Sequence, residues 1–222
     1  MTADDTSHGR LETEFRAKRA AGRKLLVPYV TGGYPGWQDA IRACAAHGAD
    51  AVEIGIPFSD PVMDGPVIQQ ASQAALESGV TPTSILDEVP SLDVDIPLAV
   101  MTYYNLVHHP GPKRFAAQLK RAGISAAILP DLPLEESGPW CDAADAEGIE
   151  TIMLAAPTAP DERLPRVAAR CRGFVYSVGL LGVTGERESL AETATALAAR
   201  LKGITDTPVL VGVGVSNAEQ AY

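Results

Sequence analysis

Lys24-Leu-Leu-Val-Pro-Tyr-Val-Thr31, followed by Gly32-Gly33-Tyr34-Pro35-Gly36, decides the architecture. The run is short, almost wholly apolar and halted by paired glycines, which is the pattern of a strand buried on both faces. Pro35-Gly36 then opens a stretch in which Ala40, Ile41, Cys44 and Ala45 recur at helical spacing until Gly48 ends it. This strand-then-helix unit repeats. Ala51-Val-Glu-Ile54, Pro97-Leu-Ala-Val-Met-Thr-Tyr103, Ala126-Ala-Ile-Leu129, Thr151-Ile-Met-Leu154, Gly173-Phe-Val-Tyr-Ser-Val178 and Pro208-Val-Leu-Val-Gly212 read as the next six strands. Ala- and Leu-rich amphipathic stretches lie between them, as at 115–121, 140–147 and 190–201. Alternation of buried-type strands with helices specifies a parallel sheet carrying helices.

An open doubly wound sheet and a closed eight-stranded barrel both satisfy that alternation. The first strand ends without the G-x-G-x-x-G spacing of a dinucleotide fold. Seven units within 222 residues also match the pace of a barrel, whose usual length is about 250 residues. The expected fold is therefore α/β, a single (β/α)8 TIM-barrel domain over residues 1–222, with a polar helical lead at 1–23. The eighth unit is missing from the sequence. The natural protein is expected to continue past Tyr222 with a short strand, a Gly-Ser turn and a last helix, because seven units would leave the edges of the sheet open.

Bulk properties narrow the function. Hydrophobic residues make up 46% and charged residues 21% of the chain, an ordinary globular composition. The net charge of −10 leaves no electrostatic footprint for nucleic acid. No apolar run approaches the roughly 20 residues that span a bilayer, and the start MTADDTSHGR has no signal-peptide core, so a cytoplasmic location is expected. Cys44, Cys141 and Cys171 are odd in number and far apart, which suits core packing rather than a disulfide framework or a zinc site.

In a barrel of this kind the chemistry sits at the carboxyl ends of strands and in the loops that follow. Glu53 interrupts the otherwise apolar run Ala51-Val-Glu-Ile-Gly-Ile-Pro57. A carboxylate there is costly unless it is paired, solvated or used. The following loop, Phe58-Ser-Asp-Pro-Val-Met-Asp-Gly-Pro66, adds Asp60 and Asp64. Each reads equally as a turn or helix cap, since Asp-Pro and Asp-Gly are ordinary turn dipeptides ahead of a helix. Gly182-Val-Thr-Gly185 after the sixth strand and Gly212-Val-Gly214 after the seventh could present backbone amides to a phosphate. Tyr29, Met101, Tyr103, Ile128, Leu154 and Tyr176 stand near strand ends and would line an aromatic pocket, though each could equally be core. His108 and His109 read as solvated loop residues, and no metal site is expected.

Glu53-Ile-Gly-Ile-Pro-Phe-Ser-Asp-Pro61 with Asp64-Gly-Pro66 and Ile68-Gln69 resembles the signature of the tryptophan synthase alpha subunits. Tyr103-Tyr-Asn-Leu-Val107, Pro130-Asp-Leu-Pro133 with Glu135-Glu-Ser137, Gly182-Val-Thr-Gly185 and Gly212-Val-Gly214 match that family in the same order, although Gly179-Leu180 stands where Ser-Arg is frequent. The resemblance implies a lyase of tryptophan biosynthesis that cleaves indole-3-glycerol phosphate to indole and glyceraldehyde-3-phosphate by a retro-aldol route, with no cofactor of its own. It makes Glu53 the acid-base group and Asp64 the acceptor of the indole N–H. Thr184 would fasten a lid near Asp64, while Gly185 and Gly214 would help to hold the phosphate. Asp60 and Pro61 would contact a beta subunit that carries pyridoxal phosphate, in an αββα complex.

Two rivals frame that reading. Another phosphosugar isomerase or aldolase on a barrel would need a Schiff-base Lys or a His at a strand end, and neither stands there. A catalytically silent alpha-like barrel that only binds and activates a partner would not need both Glu53 and Asp64.

Overall fold

The computed structural model describes residues 8–179 and 187–212. Its elements run α1 (Arg10–Ala20), β1 (Tyr29–Thr31), α2 (Trp37–Ala46), β2 (Val52–Gly55), α3 (Pro66–Glu77), α4 (Pro82–Glu88), β3 (Leu98–Met101), α5 (Tyr104–His108), α6 (Pro112–Arg121), β4 (Ala126–Ile128), α7 (Gly138–Glu147), β5 (Glu150–Ala155), α8 (Arg163–Arg170), β6 (Val175–Val178), α9 (Arg187–Lys202) and β7 (Val209–Gly212). The strands pair in chain order from β1 to β7, and every pair is parallel. Sequential parallel neighbours joined by helices are the topology of the expected barrel rather than of a doubly wound sheet.

Alternation along each strand builds two cores. Val52, Ile54, Val100 and Val175 point outward against Ile41, Leu119, Trp140, Leu164 and Leu197 of the helices. Ala51, Ala99, Ala126, Ile128, Ile152 and Phe174 point inward. Three of these inward residues are alanines, so the lower interior has room for an insert. Helix α1 supplies it with Leu11 and Phe15, both fully buried, and the Phe15 ring packs 6.0 Å from that of Phe174. The N-terminal lead is therefore a plug as well as a polar helix.

A carboxylate holds the plug in place. Glu150 accepts the Leu11 and Glu12 backbone N–H groups, each at 2.8 Å, while Glu12 accepts the Gly173 N–H at 3.0 Å. Two of the orphan donors at the start of α1 are thus satisfied from a strand rather than by a local cap. Gly9 permits the approach, because a Cβ there would overlap the Glu150 carboxyl group.

The first strand is shorter than its apolar run suggests. The Leu26 N–H goes to the Asp50 carboxylate at 2.8 Å instead of a backbone carbonyl, and Pro28 has no N–H to give. Pairing with β2 is then regular only over Tyr29–Thr31. Gly48, at φ +94°, turns the chain out of α2 in the left-handed conformation expected of a glycine beyond a helix end.

Candidate active site

β2 carries Glu53 between Val52 and Ile54, so the same alternation that sends its neighbours to the helices sends Glu53 into the barrel. It is 5% exposed, and among the described residues nothing hydrogen-bonds its carboxylate. Burial, reinforced by the charge of Asp64, pushes its pKa from 4.5 up to about 8. Burial therefore favours the protonated form of this carboxyl group.

Asp64 is half-buried at the end of the loop that follows β2. It does not cap α3: Gly65 occupies the N-cap position, and no side chain caps that helix. The Asp64 carboxylate instead accepts the hydroxyl of Tyr103. The Tyr103 oxygen in turn accepts the Met63 N–H at 2.9 Å, and its ring stacks on Phe58 with centroids 5.2 Å apart. One tyrosine thus holds both ends of the loop. Burial raises the Asp64 pKa and the Tyr103 hydrogen bond opposes that rise, while burial first of all pushes Tyr103 itself up to about 12.

Tyr29 stands beside Glu53 in the β1–β2 register and leans toward the strand ends, its phenol lying across Gly55. A Cβ at Gly55 would overlap the Tyr29 hydroxyl. Tyr176 repeats the arrangement across the barrel, with its ring over Gly212. Both phenols lie within electrostatic reach of Glu53 and are held protonated, chiefly by burial. Met101 and Leu154 keep partial exposure on the same inner face, whereas Ile128 is 1% exposed and belongs to the interior packing.

Asp60 is exposed and accepts the Ser59 hydroxyl at 2.6 Å; Pro61, half-buried, follows it. Val62 and Val67, each 78% exposed, extend this surface in apolar character. Thr184, Gly185 and Gly214 lie outside the described residues. His108 ends α5 with its ring against Tyr104, and no cluster of ligands able to hold a metal occurs among the described residues.

Sequence reasoning placed Tyr103 in the pocket lining but missed its grip on the loop, because nothing local connects a strand end to a turn 40 residues earlier. It also gave no role to Asp131, whose two carboxylate oxygens accept the Tyr104 N–H at 2.9 and 3.0 Å. The signal lay in its short motif, Pro130-Asp-Leu-Pro133.

The family model described as tryptophan synthase alpha chain matches residues 15–222. The chain belongs to that family. It is 44% identical over 218 residues to the tryptophan synthase alpha chain of Thermobifida fusca, covering 95% of this chain and 81% of that one. The alpha chain of Mycobacterium ulcerans is 42% identical over 225 residues, with 100% and 84% covered. A tryptophan synthase structure from M. tuberculosis superposes with a TM-score of 0.85 at 36% identity, over 94% of this chain and 82% of that one. A structure from the tryptophan synthase α2β2 complex of Pyrococcus furiosus superposes with a TM-score of 0.80 at 38% identity, over 88% and 80%. These relatives share the family's barrel fold.

Proposed function

We propose that this chain is the lyase half of a tryptophan synthase, cleaving indole-3-glycerol phosphate to indole and glyceraldehyde-3-phosphate. The observation that carries this reading is a buried Glu53, whose burial favours its protonated form, facing an Asp64 that is held by a tyrosine rather than used as a cap.

Breaking the bond between the indole ring and the side chain needs a proton on ring carbon C3, compensation of charge at the ring nitrogen, and a base for the neighbouring hydroxyl. Glu53, in its protonated form, delivers its proton to C3. Asp64 accepts the indole N–H and stabilises the cation formed by that protonation. The ionised Glu53 then takes the hydroxyl proton as the carbon–carbon bond breaks, the electrons of that bond returning to the ring to leave indole, and the carbonyl of glyceraldehyde-3-phosphate forms. The proton count closes on Glu53 itself, so one group of raised pKa serves as acid and then as base.

Tyr29, Met101, Leu154 and Tyr176 line the space for the indole. The resemblance assigns the phosphate to the Gly182-Val-Thr-Gly185 and Gly212-Val-Gly214 stretches and the fastening of a lid to Thr184, residues that, Gly212 apart, lie outside the described ones. Asp60 and Pro61 meet a beta subunit in an αββα complex, and pyridoxal phosphate belongs to that partner. No helix among the described residues is long and apolar enough to cross a membrane. No observation favours a catalytically silent barrel.

The deciding assay is indole release from indole-3-glycerol phosphate by the purified chain, alone and with a beta subunit, beside a Glu53→Gln control. Release that the substitution abolishes supports the reading; absence of release under both conditions overturns it.

A further inference from the structure

A buried carboxyl group that must ionise during its cycle needs a donor for the charged form, and Glu53 has none bound to it among the described residues. The groups around it are few. The inner faces of β3 and β4 offer Ala99, Met101, Ala126 and Ile128, none of them titratable, while β5 offers Ile152, Leu154 and Glu150, whose carboxylate is engaged by the Leu11 and Glu12 N–H groups at the start of α1. The titratable groups facing Glu53 are Asp64 from its own loop, Tyr29 from β1 and Tyr176 from β6. Asp64 carries negative charge and disfavours a second anion beside it. Among these titratable groups, the two phenols are the donors.

Tyr29 is the better placed of the two. Its backbone is the direct register partner of Glu53 in the neighbouring strand, which sets both side chains on one face at the spacing of paired strands. The phenol then runs past Glu53 into a slot that exists because Gly55 has no side chain. The Thr31 hydroxyl, two residues further along β1, hydrogen-bonds the phenol oxygen and fixes its direction. With Thr31 donating, the phenol's own proton is free to point at the carboxylate.

We infer that Tyr29 is a positioning residue whose phenol, set in the Gly55 slot and held by Thr31, donates a hydrogen bond to Glu53 once that carboxyl has given up its proton. This goes beyond the pocket-lining part assigned to Tyr29 and rests on the acid-base reading of Glu53. The phenol stays protonated throughout and no covalent bond changes at it. Its effect is to make the ionised Glu53 accessible in an apolar barrel.

The test follows the Glu53 carboxyl directly, without substrate. Protein labelled with 13C at the glutamate side-chain carboxyl is titrated by NMR, and the Glu53 signal is assigned by its disappearance in Glu53→Gln. Tyr29→Phe keeps the ring and removes only the donor. Loss of one hydrogen bond to a charged group moves the Glu53 midpoint upward by about one pH unit. Thr31→Val, which frees the phenol to turn away, moves it in the same direction by less. A midpoint unmoved or lowered in Tyr29→Phe overturns the inference, whatever Thr31→Val does. The kcat/KM–pH profile of indole release is run beside it. A chain that releases no indole removes the proposed reaction, while the titration still decides the role of Tyr29.

Discussion

The Tyr103 hydroxyl oxygen accepts the backbone N–H of Met63 at 2.9 Å, tying the end of the third strand to the loop that follows the second. Its proton goes to Asp64. A single phenol therefore fixes the loop and the orientation of the carboxylate one residue further on.

Tyr103→Phe preserves the stacking on Phe58 and deletes both hydrogen bonds. Stability is expected to fall by about 1 kcal/mol, measured by urea unfolding. The rate of indole release is expected to fall roughly tenfold with KM little changed, because a displaced Asp64 weakens the transition state more than ground-state binding. A rate equal to that of the wild type would remove Tyr103 from the positioning of Asp64.

Asp64→Asn separates a chemical role from a structural one. Loss of an N-cap typically costs about 1 kcal/mol, but α3 takes its N-cap from Gly65 and uses no side chain there. The variant is expected to melt within about 0.5 kcal/mol of the wild type and to lose most turnover. Substantial destabilisation with activity retained would make Asp64 a structural residue.

The architecture was readable because the strands are buried on both faces and so appear as unbroken apolar runs, which strand-helix alternation then orders. Glu53 stood out for the same reason: a carboxylate in such a run must be paired, solvated or used. What stayed hidden was long-range pairing. Tyr103 with Met63, and Glu150 with the start of α1, join segments 40 and 139 residues apart, and no periodicity encodes them. The N-terminal lead also read as polar because only Leu11 and Phe15 face inward, one turn apart, and two residues make a weak stripe.

Glu53 links its proposed acid-base role to stability through its proton. Its pKa is 4.5 as an ordinary glutamate and about 8 when folded, so over that interval the folded state binds a proton that the unfolded chain releases. The stability contributed by the neutral carboxyl is complete below the unfolded value and is lost as pH rises through the folded one. Wild-type stability is expected to fall between pH 5 and 8 by an amount on the order of 3 kcal/mol from this group. Glu53→Gln, neutral throughout, removes that part of the fall, so the inactive variant becomes the more stable one at high pH. Parallel pH–stability curves for the two proteins would contradict the raised pKa.

Asp60 is exposed and its side chain bonds only Ser59 among the described residues. Asp60→Ala is therefore expected to leave intrinsic cleavage within about twofold, since exposed substitutions of this kind rarely exceed 0.5 kcal/mol. Activation by the beta subunit is expected to weaken by tenfold or more. Equal losses in the two assays would place Asp60 in the chemistry instead of at the partner surface.

The barrel floor offers a test of coupling far from the chemistry. Gly9 has an ordinary extended backbone, so alanine is excluded there by contact and not by conformation: its Cβ would overlap the Glu150 carboxyl group. Gly9→Ala must push that carboxyl aside, leaving the Leu11 and Glu12 N–H groups without their acceptor. The expected cost is about 1–3 kcal/mol in urea unfolding. Glu150→Ala strands the same two donors and is expected to cost a similar amount. In the double variant there is no carboxyl left to displace, so the second substitution adds little, and the two costs fall well short of their sum. Indole release at saturating substrate stays near the wild-type rate in all three variants, because Glu53 and Asp64 keep their surroundings. Additive costs would show that Gly9 and Glu150 act independently.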